Sequence, residues 1–412
     1  MKYCFIIFIA ILITNFSFSQ TLRLVDQGGT PGSYPTISLA VAAANNGDTI
    51  KVLSGIYPES VVIPKRLYII AQDTSTVVVS GANAFTFTNG SSGSLLYGFT
   101  LRGNVHHPRD FAQALPIIIA NNRFINTYID FMNYTIVSNN YFLKASNGYG
   151  ITSYGSDSSY KRFIIFNNIL DSCGIQIANN YVDVVSNTIS NAGSGIRMFA
   201  HTNDFKLIAN KISGSTLGIN FGGHSACSNF IISNNLINNC SRGIHLDGGW
   251  WGDFVYTGSI YNNVITNSSF IAVSSDRWLN QSSSIYFFSN ILSNNANNSG
   301  FHQSVWDYNC FYNSGNIPYP GSNNITSDPL FINPSNGDFR LQATSPCIDA
   351  GHPTLIYSDI DRTRNDMGIY GGSYTMSNYE NLTNPMVIGI FTSPTQVIQG
   401  QDVIITGSGI SK

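Results

Sequence analysis

The chain is predicted to be an all-β solenoid, a right-handed parallel β-helix, and three observations predict it. First, an Asn with an apolar residue two places on recurs at Asn122, Asn140, Asn168, Asn187, Asn210, Asn235, Asn263, Asn290 and Asn309. Second, these Asn residues are separated by 18, 28, 19, 23, 25, 28, 27 and 19 residues, a loose period in the twenties. Third, several are followed by a Gly-Ile step: Gly150-Ile151, Gly174-Ile175, Gly195-Ile196, Gly218-Ile219 and Gly243-Ile244. A fixed repeat of that length with short alternating strands means stacked coils, each burying its apolar face on its neighbours. Equivalent Asn residues then lie one strand spacing apart, about 4.8 Å, and can pass amide hydrogen bonds along the stack. Asn and Gly also tolerate the left-handed backbone that sharp bends between strands require.

Composition agrees. Charged residues are 10% of the 412, and the formal net charge is -2. Without a basic stripe, nucleic acid is excluded as a partner. The 43% hydrophobic share is ample for a core.

Residues 1–19 read as a signal peptide. Lys2 supplies the positive start, Phe5 to Phe16 a short apolar run, and Ser17-Phe18-Ser19 a small-x-small cleavage site before Gln20. No later run is apolar enough to span a bilayer. The mature chain is therefore expected to be exported, without a membrane span and as a monomer, secreted or at the cell surface. Cys173, Cys227, Cys240, Cys310 and Cys347 show no metal-finger spacing and read as small buried hydrophobes, with one disulfide such as Cys227–Cys240 left open.

Residues 20–97 form the N-terminal cap and first coils. Thr36 is the N-cap of a short Ala-rich helix over 37–44, and Asn45-Asn46-Gly47-Asp48 ends it. β-branched runs follow at Thr49 to Leu53, Val61 to Ile63, Tyr68 to Ile70 and Val77 to Val79. Thr36-Ile37, Gly47-Asp48-Thr49-Ile50 and Gly55-Ile56-Tyr57-Pro58-Glu59 resemble the opening of pectinesterase-like and related β-helix proteins, a leader shared by proteins of different activity.

Residues 98–372 carry the regular coils and a closing segment, and this part looks like the pectin-lyase-like fold. Asp328-Pro329-Leu330-Phe331 and Ser345-Pro346-Cys347-Ile348-Asp349-Ala350-Gly351, then Asp361, Arg364, Asp366 and Gly368 to Gly372, resemble the ending of secreted bacterial β-helix proteins. That resemblance implies a segment closing the C-terminal end of the stack, its Asp and Arg residues bonding backbone and one another. Residues 373–384 are a linker. Residues 385–412, with apolar runs Met386 to Phe391 and Val403 to Ile405, read as the start of a β-sandwich-like module or a tail.

Alternation after each Gly-Ile step places one outward column at Thr152, Gln176, Arg197, Asn220, His245 and Ser274. A second runs through Tyr154, Ala178, Phe199, Gly222, Asp247 and Asp276. Trp250, Trp251, Arg277 and Trp278 gather just beyond. Trp faces stack on sugar rings. Asp247 and Asp276, one rung apart, could share a proton, bind Ca²⁺ or act as an acid–base pair. Arg197 suits a uronate carboxylate and His245 a proton transfer. The competing reading is that the Trp residues pack loop bases and the Asp residues make turns.

Enzyme families on this fold leave only partial likenesses. Gly222-Gly223-His224 partly resembles the Gly-His-Gly step of polygalacturonases, but no Asp-Asp pair accompanies it. The sequence thus predicts a protein recognising extracellular polysaccharide. Alternatives are a lyase or glycoside hydrolase acting through Arg197, His245, Asp247 and Asp276, with possible calcium at the two acids, and a non-catalytic rod or adhesin.

Overall fold

The structure is a computed structural model. It describes residues 21–107, 114–131, 134–154, 162–199, 202–222, 226–246, 254–275, 279–298, 304–315 and 321–380, together with the backbone of strands Met386–Ser393 and Ile404–Ile410. The chain winds as a parallel β-helix. Among the described residues its three sheets carry fourteen, twelve and ten strands, called here sheets 1, 2 and 3. One coil shows the plan: Phe163–Phe166 lies in sheet 1, Ile169–Asp171 in sheet 2 and Gly174–Ala178 in sheet 3.

The Asn rung sits at the turn from sheet 1 to sheet 2. Asn187 Nδ2 donates to Asn210 Oδ1 (3.0 Å), and Asn210 Nδ2 to Asn235 Oδ1 (2.9 Å). The same Oδ1 atoms accept the backbone N–H groups of Asn187 and Asn210. The ladder runs unbroken from Asn122 to Asn309 and gains a tenth member, Asn324. Every amide of the ladder therefore finds partners in its own and the neighbouring coils.

The backbone bends are placed differently from the expectation. The left-handed residues precede the rung: Asn121, Asn139, Asn167, Ser186, Ala209, Asn234, Asn262, Ser289 and Tyr308, all with φ between 53° and 57° except Asn167 at 50°. A second left-handed column, including Asn126, Lys144, Ser172, Asn191, Asn239 and Asn267, turns sheet 2 into sheet 3. The glycines of the Gly-Ile steps do not have positive φ. They are glycine because coils approach closely there: a Cβ on Gly218 would lie 2.5 Å from the Gly243 carbonyl oxygen and 2.7 Å from Ile237 Cγ2. The Ile residues that follow, Ile151, Ile175, Ile196, Ile219 and Ile244, are fully buried in the central core.

The N-terminal end is closed by helix Ile37–Ala43, whose N-cap Thr36 accepts from the Leu39 N–H. Ile37, Ala40 and Val41 face the first coil. Glu59 of the leader motif reaches back to the helix start, accepting from Ile37 N (2.7 Å) and Ser38 N (3.0 Å). An acid there satisfies two orphan donors and complements the helix dipole, so this Glu is architectural.

The closing segment departs from what its resemblance implied. It does not sit on the end of the stack alone; it folds back along the outer edge of the coils as a lateral strap. Its hairpin Phe331–Asn333 with Asp338–Leu341 lies near the last rung. From Cys347 onward it passes successively earlier coils. Asn365 bonds Ser289 and Asn262, the Gly368 carbonyl accepts from Asn262, and the Ile369 and Gly371 carbonyls accept from Asn234. Met367, Ile369 and Met376 cover Ile208, Leu236, Val264, Ile291 and Cys310, and Glu380 ends the strap on Lys211 (3.0 Å). The left-handed Asn234 and Asn262 thus hold the strap with their side chains. The charged residues bond as expected: Arg364 Nε donates to the Gly351 carbonyl, and the Asp359 carboxylate accepts from the backbone N–H groups of Asp366 and Gly372.

Beyond it, Met386–Ser393 and Ile404–Ile410 pair as an antiparallel hairpin, the β-structure expected for the two terminal apolar runs. All five described cysteines are buried thiols. Cys227 pairs with Thr202 and Tyr256 in sheet 1, whereas the Cys240 thiol sits past the end of Leu236–Asn238 in sheet 2, so the pairing left open between them is not formed.

Candidate functional site

The first outward column exists in register. On sheet 3, Thr152, Gln176, Arg197, Asn220, His245 and Ser274 are successive Cα partners. The column also extends toward the N-terminus through His106 and Asp130. Sequence reasoning missed these two because it started from Gly-Ile steps, which Val105-His106 and Ile129-Asp130 lack. The usable signal was the alternation itself, with Ile129 and Phe131 buried on either side of Asp130.

The column is recessed. Thr152, Gln176, Asn220, His245 and Ser274 are buried, and Arg197 is half-buried. Gln176 Nε2 donates to the Tyr154 hydroxyl (2.8 Å). Burial raises the Tyr154 pKa, and the charge of Asp130 raises it further while that of Arg197 lowers it. Tyr154 is therefore a neutral hydroxyl standing between an acid and a guanidinium. Arg197 lays its guanidinium over the Phe199 ring (4.8 Å to the centroid), with Nη1 3.5 Å from the Tyr149 hydroxyl. At the N-terminal end, His106 Nε2 lies 2.9 Å from Asn83 Oδ1 and its Nδ1 3.8 Å from Asp130.

His245 Nδ1 lies 3.2 Å from Arg242 Nη1 and 2.9 Å from Ser274 Oγ. A guanidinium can only donate, so Nδ1 accepts and the neutral ring carries its proton on Nε2. This tautomer follows from the hydrogen-bond pattern.

Three atoms on the column are buried without a partner: Thr152 Oγ1, Arg197 Nε and Asn220 Oδ1. Each such atom costs on the order of 1–3 kcal/mol, so three within four successive rungs of one face need a reason.

The second column continues through Tyr154 and Ala178, which pair, then Phe199 and Gly222, whose N–H groups bond the preceding coils. Asp247, Trp250, Trp251, Asp276, Arg277 and Trp278 lie outside the described residues, as do His201, His224 and Asp253. By sequence they fall in the segments joining a sheet 3 strand to the next sheet 1 strand. Of the eight candidate residues the structure therefore places two, Arg197 and His245, two rungs apart on one column. Among the described residues no three His, Cys, Asp or Glu side chains converge to hold a metal ion. None of their helices is long and apolar enough to cross a membrane.

No protein-family profile and no curated protein matches the sequence. Solved structures do resemble the fold. A XylC structure in complex with xylose matches with a TM-score of 0.51 at 11% identity, over 76% of this chain and 87% of that one. A variant of the PL6 family alginate lyase AlyGC matches with a TM-score of 0.52 at 14% identity, over 89% of this chain but only 59% of the lyase. At these identities the likeness shows the fold, a parallel β-helix, and nothing narrower.

Proposed function

We propose that this protein binds acidic polysaccharide along the outward column of sheet 3, outside the cell and as a monomer. The observation that carries the reading is the trio of buried, unpartnered atoms on Thr152, Arg197 and Asn220. A hydroxyl-rich chain laid across the rungs would supply their partners. The guanidinium of Arg197 suits a uronate carboxylate, the Tyr154 and Tyr149 hydroxyls suit ring hydroxyls, and Trp250, Trp251, Trp278 and Arg277 are the proposed sugar-contacting residues beyond the column. Asp247 and Asp276 would add calcium or proton chemistry.

A second reading, lyase action on a uronate glycan, is favoured by one contact: the Tyr149 hydroxyl beside Arg197 sets a proton-transfer group next to the group that would hold the carboxylate. The alginate lyase among the similar structures makes alginate the first polymer to try, with pectate as a second uronate polymer.

Calorimetric titration of the full chain with these polymers, with and without Ca²⁺, tests the binding. Arg197→Gln is expected to weaken it about tenfold, the loss of one charge-assisted pair. No binding to any uronate polymer, or binding that Arg197→Gln leaves intact, overturns the proposal. Unsaturated products that vanish in Tyr149→Phe would establish the lyase reading, and silence in both assays would leave the rod.

A further inference from the structure

The buried thiols fall into two groups. Cys173, Cys227 and Cys240 lie in separate places in the main core, with pKa values pushed by burial to about 12, about 12 and about 11. Cys310 and Cys347 instead share the smaller core between the coils and the strap, both fully buried. Both are tied to the same stretch of chain, Cys310 through its thiol to the Ser327 carbonyl and Cys347 through Ser345 Oγ to the Pro329 carbonyl, and the Cys347 side chain, together with burial, pushes the Cys310 thiol pKa up.

Both residues are held in place by their surroundings. Cys310 opens the last strand of sheet 2, with its thiol 3.3 Å from the Ser327 carbonyl. Cys347 is fixed by its own N–H bond to Ser345 Oγ (3.1 Å), by that hydroxyl's bond to the Pro329 carbonyl (2.6 Å), and by its carbonyl accepting from Met367 N (2.9 Å). The pair lies where the strap leaves the last coil to run back along the stack. Neither residue belongs to the sheet 3 column.

We propose that Cys310 and Cys347 form a disulfide that staples the strap to the last coil of the mature, exported protein. The two S–H bonds break, one S–S bond forms, and two protons and two electrons leave. The electrons go to the disulfide of a thiol oxidoreductase in the oxidising compartment: one cysteine thiolate attacks it, the second resolves the mixed disulfide, and the oxidoreductase departs as a dithiol. Because both thiols are buried, the exchange occurs before the strap docks or when it transiently lifts. The link closes a loop with 36 residues between its ends, large enough to constrain the unfolded chain strongly.

The test uses the purified full chain, so it does not depend on where the protein resides. The chain is equilibrated with oxidised and reduced glutathione, denatured with an alkylating reagent and no reductant, and digested. The expected result is a linked peptide pair containing Cys310 and Cys347, with Cys173, Cys227 and Cys240 alkylated. Reduction is expected to lower the thermal midpoint of the wild type by roughly 5–10 °C and to leave Cys310→Ala/Cys347→Ala unmoved. Alkylation of both Cys310 and Cys347, or a midpoint insensitive to reductant in the wild type, overturns the proposal.

Discussion

At Gly218 a single missing Cβ decides whether two coils can meet. Gly218→Ala drives a methyl against the Gly243 carbonyl, which cannot move without shifting the next coil. We expect a loss of about 2 kcal/mol in denaturant unfolding. Gly193, with nothing within 4 Å of its virtual Cβ, is the control and should tolerate Ala within about 0.5 kcal/mol. Thr152→Val probes the site at the same scale. It removes an unpartnered buried oxygen at constant shape, so it should stabilise the fold slightly while weakening glycan binding. A variant that is more stable and binds as well as wild type would show that Oγ1 has no ligand. Asp359 gives a pH effect. Burial holds its carboxyl up at about 6, with the charges of Asp366 and Asp361 adding to it. A folded value above the unfolded one means a contribution that is full at low pH and lost as pH rises through about 6. The thermal midpoint should therefore fall between about pH 4 and 6, and Asp359→Asn, which keeps an oxygen for the Gly372 N–H, should flatten that slope.

Among elements, the Asn ladder concentrates the most consequence in the fewest residues. Each amide satisfies its own coil, the coil below and the coil above, so deletion strands partners on both sides. Asn210→Ala leaves the Val184 carbonyl, Asn235 Oδ1 and two Asn187 donors short of a bond. A cost of roughly 2–4 kcal/mol follows, measurable as a shift in denaturant midpoint. Asn324, the last rung among the described residues and only partly buried, bonds the Trp306 carbonyl, and its replacement should cost less. The ladder was legible because its spacing and residue type repeat. The left-handed columns were not, since they accept Asn, Ser, Ala, Lys and Tyr alike. There the coil geometry overrides residue preference, and only the neighbour at the next position is diagnostic.

For the whole molecule, the strap is the main correction, and its sequence signal lies in the coils it covers. The outward position that opens each sheet 2 strand runs Thr188, Lys211, Leu236, Val264, Ile291, Cys310. It turns from polar to apolar at Leu236, where the strap begins to cover it. Two adjacent apolar residues in a three-residue strand mean both faces are buried. Removing residues 345–412 should therefore yield a chain that binds hydrophobic dyes and self-associates in light scattering, because it exposes a contiguous apolar strip. If the truncated chain stays monomeric and melts like the full one, the strap is ornamental.

The sequence by itself determined the winding, the rung, the inward Ile column and six outward positions of sheet 3, because each follows from a local period that survives any change of loop length. Only the tertiary structure decided that His106 and Asp130 join that column, that Arg242 and Ser274 meet His245 at Nδ1, and that the closing segment lies along the coils. Those depend on side chains far apart in number meeting at one place, and no local pattern encodes which distant partner a residue will find.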